Sequence, residues 1–491
     1  MMLGRRGAAA LAASALACCG GGGGTPPPSV LVIVWDTVRA DHLSLYGYDK
    51  ETTPFLAQLA AESLVFDDCR SVASSTVPSH GSLFTGLMPR EHGADNRTLM
   101  LDEHFDTLAE LFRGAGYATY LYSANPNLVR GAGFAQGFDV EEHPWDAERR
   151  ERALALLEQK TEGDRASGLA HILARGDVDH VHLKACGALA NEALLDFLAR
   201  SDPERPFFAF LNYMEAHEPL VPPRALRERF LSPEEVERSY TADRSWRALS
   251  LYNQGLHAFT AEDLAVLSGV YDAALLELDQ LLRDLCARLD AAGRLEGTLI
   301  VVTSDHGEHL GEHGLTGHRY SLYEGLLRVP LVIRAPGRLA AGRSPAPVQN
   351  ADLFTTLLAL CGIEPPARPR SLDVRAVPAD RARLAEYPGD FPAYVPPGAA
   401  PSAAGDARWR RSFVALEQGG EKVISASDGA SELYRVDVDP GERRDLAAED
   451  PDGLARALAR LTAAVAGLQP FTPKAAARDA ALRRSLEDVG Y

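Results

Sequence analysis

The chain has 491 residues, of which 46% are hydrophobic and 24% charged. This length and composition are ordinary for a globular protein with one large domain and one smaller domain. The 50 Lys and Arg residues against 68 Asp and Glu residues leave a formal net charge of −18. That balance argues against a nucleic-acid partner, because phosphate backbones require a basic protein face.

The first predicted element is a secretory signal over residues 1–18. Arg5 and Arg6 precede a short apolar run over residues 7–17, too short to span a bilayer. Leu16-Ala17-Cys18 resembles a bacterial lipoprotein box, with a plain signal peptide or a low-complexity leader as the alternatives. We expect an extracytoplasmic protein of the periplasm or cell envelope, joined to the membrane only by a lipid anchor and a flexible tether over residues 19–28.

Apolar runs typical of buried strands then alternate with stretches of helical spacing. The predicted strands are 29–35, 117–122, 206–213, 298–303 and 329–334, and the predicted helices are 54–63, 107–115, 260–292 and 351–361. This alternation predicts an α/β fold with a mostly parallel central sheet flanked by helices. Ligands of such sheets bind beyond the carboxyl ends of the strands, where Asp36 and Asp305 are expected to lie.

The last part of the chain predicts a smaller subdomain. A Pro-, Ala- and Arg-rich connector with irregular loops is expected over residues 365–401. The remaining predicted elements are three short antiparallel strands at 412–417, 421–425 and 432–436 and a closing helix at 454–468. We therefore divide the chain into a large domain (29–365), a C-terminal α+β subdomain with an antiparallel sheet (366–470) and a peripheral tail (471–491).

Four cysteines follow the signal region, namely Cys69, Cys186, Cys286 and Cys361. Their scattered positions lack the paired spacing of a zinc cluster. Disulfides and buried free thiols both remain open from the sequence alone.

Four segments contain residues suited to a shared chemical site. Asp36 follows a predicted strand, and Asp305 and His306, two metal-ligand types, follow another. Pro78 suits the first turn of a helix, so Thr76 should lie just before a helix N-terminus, where amides and the helix dipole favour negative charge. The fourth segment contains His217 after the PFFAF strand. Each segment alone has an ordinary structural explanation, but their joint occurrence predicts a metal site.

Together these segments resemble the sulfatase family of the alkaline-phosphatase superfamily. The similar stretches include VLVIVWDTVRADHLSLYGY, TVPSHGSLFTGLMPREHG, FFAFLNYMEAHEPLVPP, TSDHGEHLGEHGLTGHRYSLYEGLLRVPLVIRAPG and ELYRVDVDPGERRDLA. The resemblance implies an alkaline-phosphatase-like fold and hydrolysis of sulfate or phosphate esters. It also implies one divalent metal ion, Ca, Mn or Zn, held by Asp36, Asp305 and His306, with Thr76 as both a ligand and the nucleophile.

The same resemblance implies roles for four more residues. His80 occupies the position of a sulfatase arginine and is expected to take part in catalysis. His217 and His318 match positions that contact the transferred group or the leaving oxygen, with His318 where a lysine is usual. Asn96 matches a substrate-binding position.

Three departures from the family pattern bear on the chemistry. Thr76 cannot be converted to formylglycine, which excludes the aldehyde-hydrate mechanism of typical sulfatases and favours phosphate esters. The usual G-K-W-H segment is replaced by Ser123-Ala124-Asn125-Pro126, which removes a sulfate-binding lysine. Superfamily phosphodiesterases with a threonine nucleophile need an Asp-x-x-x-His set for a second zinc ion, and Asp177 with His180 is a poor match, so one metal is favoured.

We therefore expect a metal-dependent hydrolase acting on a small-molecule or glycan sulfate or phosphate ester. One alternative is a transferase of phospholipid head groups onto envelope polymers or lipids, like other threonine-dependent members of the superfamily. The other is a non-catalytic binder of anionic glycans, against which Asp36, Thr76, Asp305 and His306 argue because they are retained.

Overall fold

The computed structural model describes residues 27–160, 186–241, 246–389 and 410–473. The expected signal, most of the tether, the tail from residue 474 and the Asp177–His180 pair lie outside the described residues. Within the described ranges, no helix has both the length and the apolar character needed to cross a bilayer. The four cysteines considered above are free thiols.

The strands fall into one large sheet and three small ones. They are β1 Ser29–Trp35, β2 Leu64–Phe66, β3 Cys69–Arg70, β4 Ala118–Ser123, β5 Val140–Glu142, β6 Phe207–Tyr213, β7 Thr298–Thr303, β8 His309–Leu310, β9 Thr316–Gly317, β10 Arg328–Val329, β11 Leu331–Arg334, β12 Gly342–Ser344, β13 Val348–Gln349, β14 Arg383–Tyr387, β15 Phe413–Gln418, β16 Glu421–Ala426 and β17 Ser431–Arg435. The large sheet has eight strands in the order β12-β2-β11-β7-β1-β6-β4-β5. Its five strands from β7 to β5 are parallel, and β11 runs antiparallel to β7.

The helices lie on both faces of this sheet and at the C-terminus. They are α1 Pro54–Ala60, α2 Thr76–Thr85, α3 Pro89–His92, α4 Leu108–Gly114, α5 Ala147–Lys160, α6 Gly187–Arg200, α7 Arg224–Arg227, α8 Pro233–Thr241, α9 Trp246–Asn253, α10 Ala261–Ala291, α11 Glu324–Leu327, α12 Asp352–Leu360 and α13 Pro451–Ala466. Short 3-10 turns span Ala40–His42, Ser44–Tyr46, Arg130–Ala132, Glu312–Gly314 and Val374–Ala376.

The central strand β1 shows why its sequence is apolar without alternation. Leu31, Ile33 and Trp35 point into the core formed with α6 and α10. The intervening valines, such as Val32, point into the opposite core formed with α2, α4 and α12. A parallel strand covered by helices on both faces has no solvent-facing side, so every position favours a β-branched or large apolar residue. The predicted α/β architecture with a mostly parallel sheet is confirmed.

Most predicted elements differ from the structure by one to three residues at their ends, and three differences bear on the architecture or the site. Thr76 is the first residue of α2 rather than the residue before it, and Ser75 occupies the N-cap position. The closing helix α13 starts at Pro451, three residues before its predicted start, with the Asp450 side chain accepting from the Gly453 amide. The connector predicted as irregular contains β14, which pairs with β15 at the edge of the C-terminal sheet.

The C-terminal sheet has the order β14-β15-β16-β17 and is antiparallel throughout. One face packs on α13 through residues such as Leu416 and Leu461. The other face packs on the large domain, where Tyr387 and Phe413 share a core with Tyr320. The expected small antiparallel sheet is therefore confirmed, with β14 as a fourth strand, and the sheet is buried on both faces.

Charged side chains are also buried between the C-terminal sheet and the large domain. The Lys422 ammonium lies 2.9 Å from Glu324 Oε1 and 2.8 Å from Glu442 Oε1. Arg70 Nη2 lies 2.9 Å from Glu324 Oε2. Although burial opposes ionisation, Arg70 and Lys422 hold the pKa of Glu324 well below its usual range. Glu324 thus compensates two buried cations at once.

Replacing Glu324 should strongly destabilise this interface. Glu324→Gln leaves Arg70 and Lys422 without their shared carboxylate, which should lower the free energy of unfolding by about 3–5 kcal/mol. Urea unfolding followed by circular dichroism measures the change. Glu449→Gln is the matched control, because Glu449 pairs with Arg444 at the surface with both side chains more than half exposed. Equal unfolding midpoints for the two variants would contradict the role of Glu324.

Candidate active site at the carboxyl edge of the sheet

The two predicted metal-binding carboxylates meet beyond the ends of neighbouring strands. Val34 of β1 lies opposite Thr303 of β7, so Asp36 and Asp305, each two residues farther along, lie side by side. Asp36, Asp305 and His306 are fully buried. One potential ligand atom from each lies within 4.8 Å of the others, and this is the only such group among the described residues. The structure therefore brings together the three residues that the sequence predicted.

The orientation of His306 leaves one ring nitrogen for a ligand. Its Nδ1 lies 3.0 Å from the Gly307 carbonyl oxygen, which can only accept, so Nδ1 carries the hydrogen. Its Nε2 faces the cluster, 3.2 Å from Asp305 Oδ2. A Cβ atom on Gly307 would lie 2.0 Å from the Gly325 carbonyl oxygen, so the close approach of the two chain segments requires glycine.

The carboxylate oxygens indicate that a cation fits this cluster. Asp36 Oδ1 and Asp305 Oδ2 are buried and have no hydrogen-bond partner. A buried anionic oxygen without a partner is costly. Two carboxylates and one imidazole form a donor set that suits divalent metals from Ca to Zn. The residues present therefore fit a divalent cation, which the orphaned oxygens would bind.

The two carboxylates strongly influence each other's ionisation. Burial and the neighbouring Asp36 charge raise the pKa of Asp305 to about 8. Burial also opposes the ionisation of Asp36, but His217, His306 and His80 outweigh it and lower the pKa of Asp36. The two carboxylates therefore resist being ionised together, and protonation of Asp305 would relieve their repulsion. A bound cation would relieve it in the same way.

Thr76 lies beside this cluster at the start of α2. Its Oγ1 atom is 3.5 Å from His306 Nε2, and the residue is only 4% exposed. The first amides of a helix have no partner within the helix, so negative charge is favoured at this position. The Ser79 hydroxyl donates to the Asp305 carbonyl oxygen at 2.7 Å, which fixes α2 against the metal-binding segment.

His80 lies one helical turn after Thr76 and is fully buried. Its Nδ1 lies 3.0 Å from the Thr76 carbonyl oxygen and 3.5 Å from Asp305 Oδ2. Its Nε2 has no hydrogen-bond partner. His80 thus contacts the carboxylate cluster directly, as expected for a residue of the site.

The remaining predicted residues surround the cluster. The His318 ring stacks on His306 at 4.7 Å between centroids, and the His217 ring lies 5.0 Å from His318. His217 Nδ1 lies 2.7 Å from the Glu218 carbonyl oxygen, and His318 Nδ1 lies 3.4 Å from Glu308 Oε2. These two histidine rings therefore continue from the His306 ring of the candidate cation site.

Asn96 approaches from the other side, at the N-terminus of α2. Its Nδ2 donates to the Ser75 hydroxyl at 3.0 Å, and the residue is 7% exposed. Asn96 is therefore held next to Thr76 through Ser75. Its expected contact with a substrate stays a prediction.

A strained turn at Thr37 connects the parts of the site. Thr37 has a φ of +62°, which is unusual for a β-branched residue. Its amide donates to Asp305 Oδ1 at 3.2 Å, and its hydroxyl donates to the Ala216 carbonyl oxygen at 2.9 Å. The buried Tyr271 hydroxyl of α10 donates to the Thr37 carbonyl oxygen at 2.7 Å. These contacts stabilise the turn that directs Asp36 into the site.

Sequence reasoning missed two asparagines that contact Asp36. Asn125 Nδ2 and Asn212 Nδ2 donate to Asp36 Oδ2 at 2.9 and 3.0 Å. Asn212 lies in β6 and Asn125 lies two residues beyond β4, so both belong to the carboxyl edge of the same sheet. Their position at the carboxyl end of a strand could have identified both asparagines. In the sequence, however, the Asn125 segment was notable only because it lacks the lysine that is usual in the family.

Comparison with known proteins gives a consistent result. The sulfatase family model matches residues 28–363. The N-acetylglucosamine-6-O-sulfatase of Bacteroides thetaiotaomicron is 25% identical, with 73% of each chain covered. The choline-sulfatase of Rhizobium meliloti is 25% identical, with 87% of this chain and 83% of that protein covered. The structure of the phosphonate monoester hydrolase of Agrobacterium radiobacter has the same fold, with a TM-score of 0.67, 22% identity and coverage of 89% of this chain and 96% of that chain.

Metal affinity should depend on pH through Asp305. Below about pH 8 a cation must displace the proton of Asp305, so affinity should rise as the pH increases from 6 to 8, by up to about tenfold per pH unit. Asp305→Ala should bind metal weakly and lose this dependence, as measured by titration of the metal-free protein. Asp279→Asn is the control, since the Asp279 carboxylate accepts from the Phe55 and Leu56 amides instead. Wild-type metal retention by Asp305→Ala would contradict the ligand assignment.

Proposed function

The chain belongs to the sulfatase family of ester hydrolases, and we propose that it cleaves sulfate or phosphate esters with the Thr76 hydroxyl as nucleophile. The observation that carries this proposal is the position of Thr76 Oγ1, 3.5 Å from His306 Nε2 and at the first residue of α2. The hydroxyl therefore lies beside one of the three residues that form the candidate cation site. The family generally binds a divalent metal, and we assign these residues to it.

Threonine determines the type of chemistry in this proposal. Its secondary hydroxyl is not a precursor of formylglycine, so the side-chain oxygen itself must attack. A bond forms between Thr76 Oγ1 and the sulfur or phosphorus atom while the bond to the alcohol oxygen breaks. Water then cleaves the resulting Thr76 ester and releases sulfate or phosphate. A divalent cation held by Asp36, Asp305 and His306 supplies positive charge that favours the alkoxide and the anionic ester.

The residues around Thr76 can bind the transferred group and move the protons of the reaction. The free amides at the start of α2, together with Asn96, can donate to the oxygens of the transferred group. His217 and His318 lie in a row extending from His306, where one of them can protonate the leaving alcohol. The Nδ1 atom of His217 donates to the Glu218 carbonyl oxygen, which assigns the proton transfer to Nε2. The same histidine can then accept a proton from the attacking water.

The charges of the site favour a singly charged transferred group. Within the described part of the chain, no lysine or arginine forms a hydrogen bond or ion pair with Asp36, Thr76 or Asp305. A divalent cation would offset the two carboxylates, and a second negative charge on the substrate would depend on the histidines and on Arg319, which interacts electrostatically with His306. The relatives named for N-acetylglucosamine 6-O-sulfate and choline sulfate act on singly charged sulfate esters. We propose that a sulfate monoester or a phosphodiester of a small molecule or glycan is the substrate.

Replacing Thr76 tests the nucleophile directly. Thr76→Ala should lower kcat by at least about 10³-fold, because no other hydroxyl occupies its position, while thermal unfolding stays near that of the wild type. Thr76→Ser retains an attacking oxygen and should keep measurable turnover without any aldehyde-forming step. The metal-loaded variants are assayed on aryl sulfate and aryl phosphodiester substrates. Wild-type activity of Thr76→Ala would show that Thr76 is not the nucleophile.

The charge balance of the site predicts which substrates the protein hydrolyses most efficiently. With the same p-nitrophenol leaving group, kcat/KM for the sulfate or for the methyl phosphodiester should exceed that for the doubly charged phosphate monoester. The reason is that an uncompensated charge in a buried site costs several kcal/mol. Assays at pH 8 keep the monoester dianionic. A clear preference for the monoester at this pH would overturn the proposed charge balance.

A further inference from the structure

The Asn125 side chain contacts both a metal-binding carboxylate and the proposed nucleophile. Its Nδ2 atom lies 2.9 Å from Asp36 Oδ2 and 3.5 Å from Thr76 Oγ1. Asn125 is fully buried. An amide NH2 group has two hydrogens, so one can bind the carboxylate while the other is directed at the threonine oxygen.

We propose that Asn125 is a catalytic residue, which donates a hydrogen bond to Thr76 Oγ1 when that oxygen carries negative charge. The inference rests on the proposed nucleophilic role of Thr76. It gives a function to the segment Ser123-Ala124-Asn125-Pro126, which lacks the lysine that is usual in the family. The neutral amide supplies a donor without adding a cation next to Asp36.

Asn127 fixes the direction of this amide. The Asn125 Oδ1 atom accepts from the Asn127 backbone amide at 3.0 Å and from Asn127 Nδ2 at 3.3 Å. Rotation of the Asn125 amide by half a turn would place Oδ1 against the Asp36 carboxylate and NH2 against two donors. Both contacts would be repulsive, so the NH2 group is held towards Asp36 and Thr76. Asn127 is thus a positioning residue for Asn125.

The turn that carries Asn125 is also held rigidly. The Ser123 hydroxyl accepts from the Asn125 backbone N–H at 3.0 Å and donates to the Asn125 backbone carbonyl oxygen at 3.0 Å. Ser123 is the last residue of β4, so the sheet determines where the turn begins. A donor fixed before the reaction needs no rearrangement when charge develops, which is the condition for effective electrostatic stabilisation.

The reaction places charge on the contacted oxygen twice. The Thr76 hydroxyl first releases its proton to solvent, so the cycle starts and ends with the Oγ1 alkoxide. In the first step this alkoxide forms the bond to sulfur or phosphorus, while the alcohol leaves with a proton from a histidine that later regains it from the attacking water. In the second step water attacks the sulfur or phosphorus atom, and the bond to Oγ1 breaks with its electron pair returning to that oxygen. The Asn125 N–H is adjacent to Oγ1 in both steps. Removing one such donor typically lowers the rate by about 10²-fold or more.

Asn212 provides a matched control for the proposal. Its Nδ2 donates to the same oxygen, Asp36 Oδ2, at 3.0 Å, but it makes no hydrogen bond with Thr76. Asn125→Ala and Asn212→Ala therefore each remove one donor to Asp36, and only the first removes the donor to the nucleophile. A difference between them reports the contact with Thr76.

The experiment compares both variants at saturating metal, with orthovanadate as a mimic of the transition state. Asn125→Ala should lower kcat/KM by about 100-fold, raise the inhibition constant of orthovanadate by a similar factor and change KM little. The loss in Asn212→Ala should be much smaller and should shrink further with added metal. Asn125→Ser, whose hydroxyl is too short to reach Thr76, should behave as Asn125→Ala does and replaces it if that variant does not fold.

Two results would overturn the inference. Equal losses for Asn125→Ala and Asn212→Ala at saturating metal would mean that Asn125 acts only through Asp36. Wild-type kcat/KM and orthovanadate inhibition in Asn125→Ala or Asn125→Ser would mean that its amide does not assist the reaction. If Thr76→Ala is inactive, either result would contradict only the role of Asn125 and would leave the proposed function intact. If Thr76→Ala is active, both the proposed nucleophile and the role of Asn125 would be contradicted.

Discussion

Two buried carboxylates, Asp36 and Asp305, lie side by side at the carboxyl edge of the sheet, and their mutual repulsion constrains everything around them. Like charges in a buried site cannot both be ionised without compensation. Burial and the Asp36 charge raise the pKa of Asp305 to about 8, so protonation of Asp305 would relieve the repulsion. A divalent cation would have the same effect, and Asp36, Asp305 and His306 form a group that suits one.

The fold keeps these groups together despite the repulsion. Parallel pairing of β1 with β7 sets the distance between the two chain segments, and cores on both faces of the sheet prevent the strands from moving apart. The strained turn at Thr37 is held by the Asp305 carboxylate on one side and by the Tyr271 hydroxyl on the other. Ser79 joins α2, which begins at Thr76, to the Asp305 backbone. These contacts hold α2 and the Thr37 turn next to the two carboxylates.

Part of this arrangement could be predicted from the sequence, and the reasons are physical. Uninterrupted apolar runs identify strands buried on both faces, and a polar residue after such a run identifies the functional edge, so Asp36 and Asp305 were predictable. Tyr271 was not, because its spacing on α10 is that of an ordinary core residue and only the hydroxyl contact reveals its role. Asn125 depends on a turn whose direction comes from Ser123 and Asn127. The strand β14 was missed in a Pro-rich region because it exists through pairing with β15 rather than through its own pattern.

The departures from the sulfatase pattern form a coherent set. Thr76, the proposed nucleophile, stands in the place of the aldehyde precursor, and Asn125 beside it stands in the segment where a lysine is usual. Both positions are polar, and the second lacks the positive charge of the usual lysine. The departures therefore lie around Thr76, while the three residues of the candidate cation site are present.

Anomalous diffraction from crystals soaked in Mn²⁺ would locate the cation. We expect one strong peak within about 2.0–2.6 Å of Asp36 Oδ1, Asp305 Oδ2 and His306 Nε2, beside the Thr76 hydroxyl. A protein that hydrolyses esters with no peak at this position, or with the cation bound elsewhere, would contradict it.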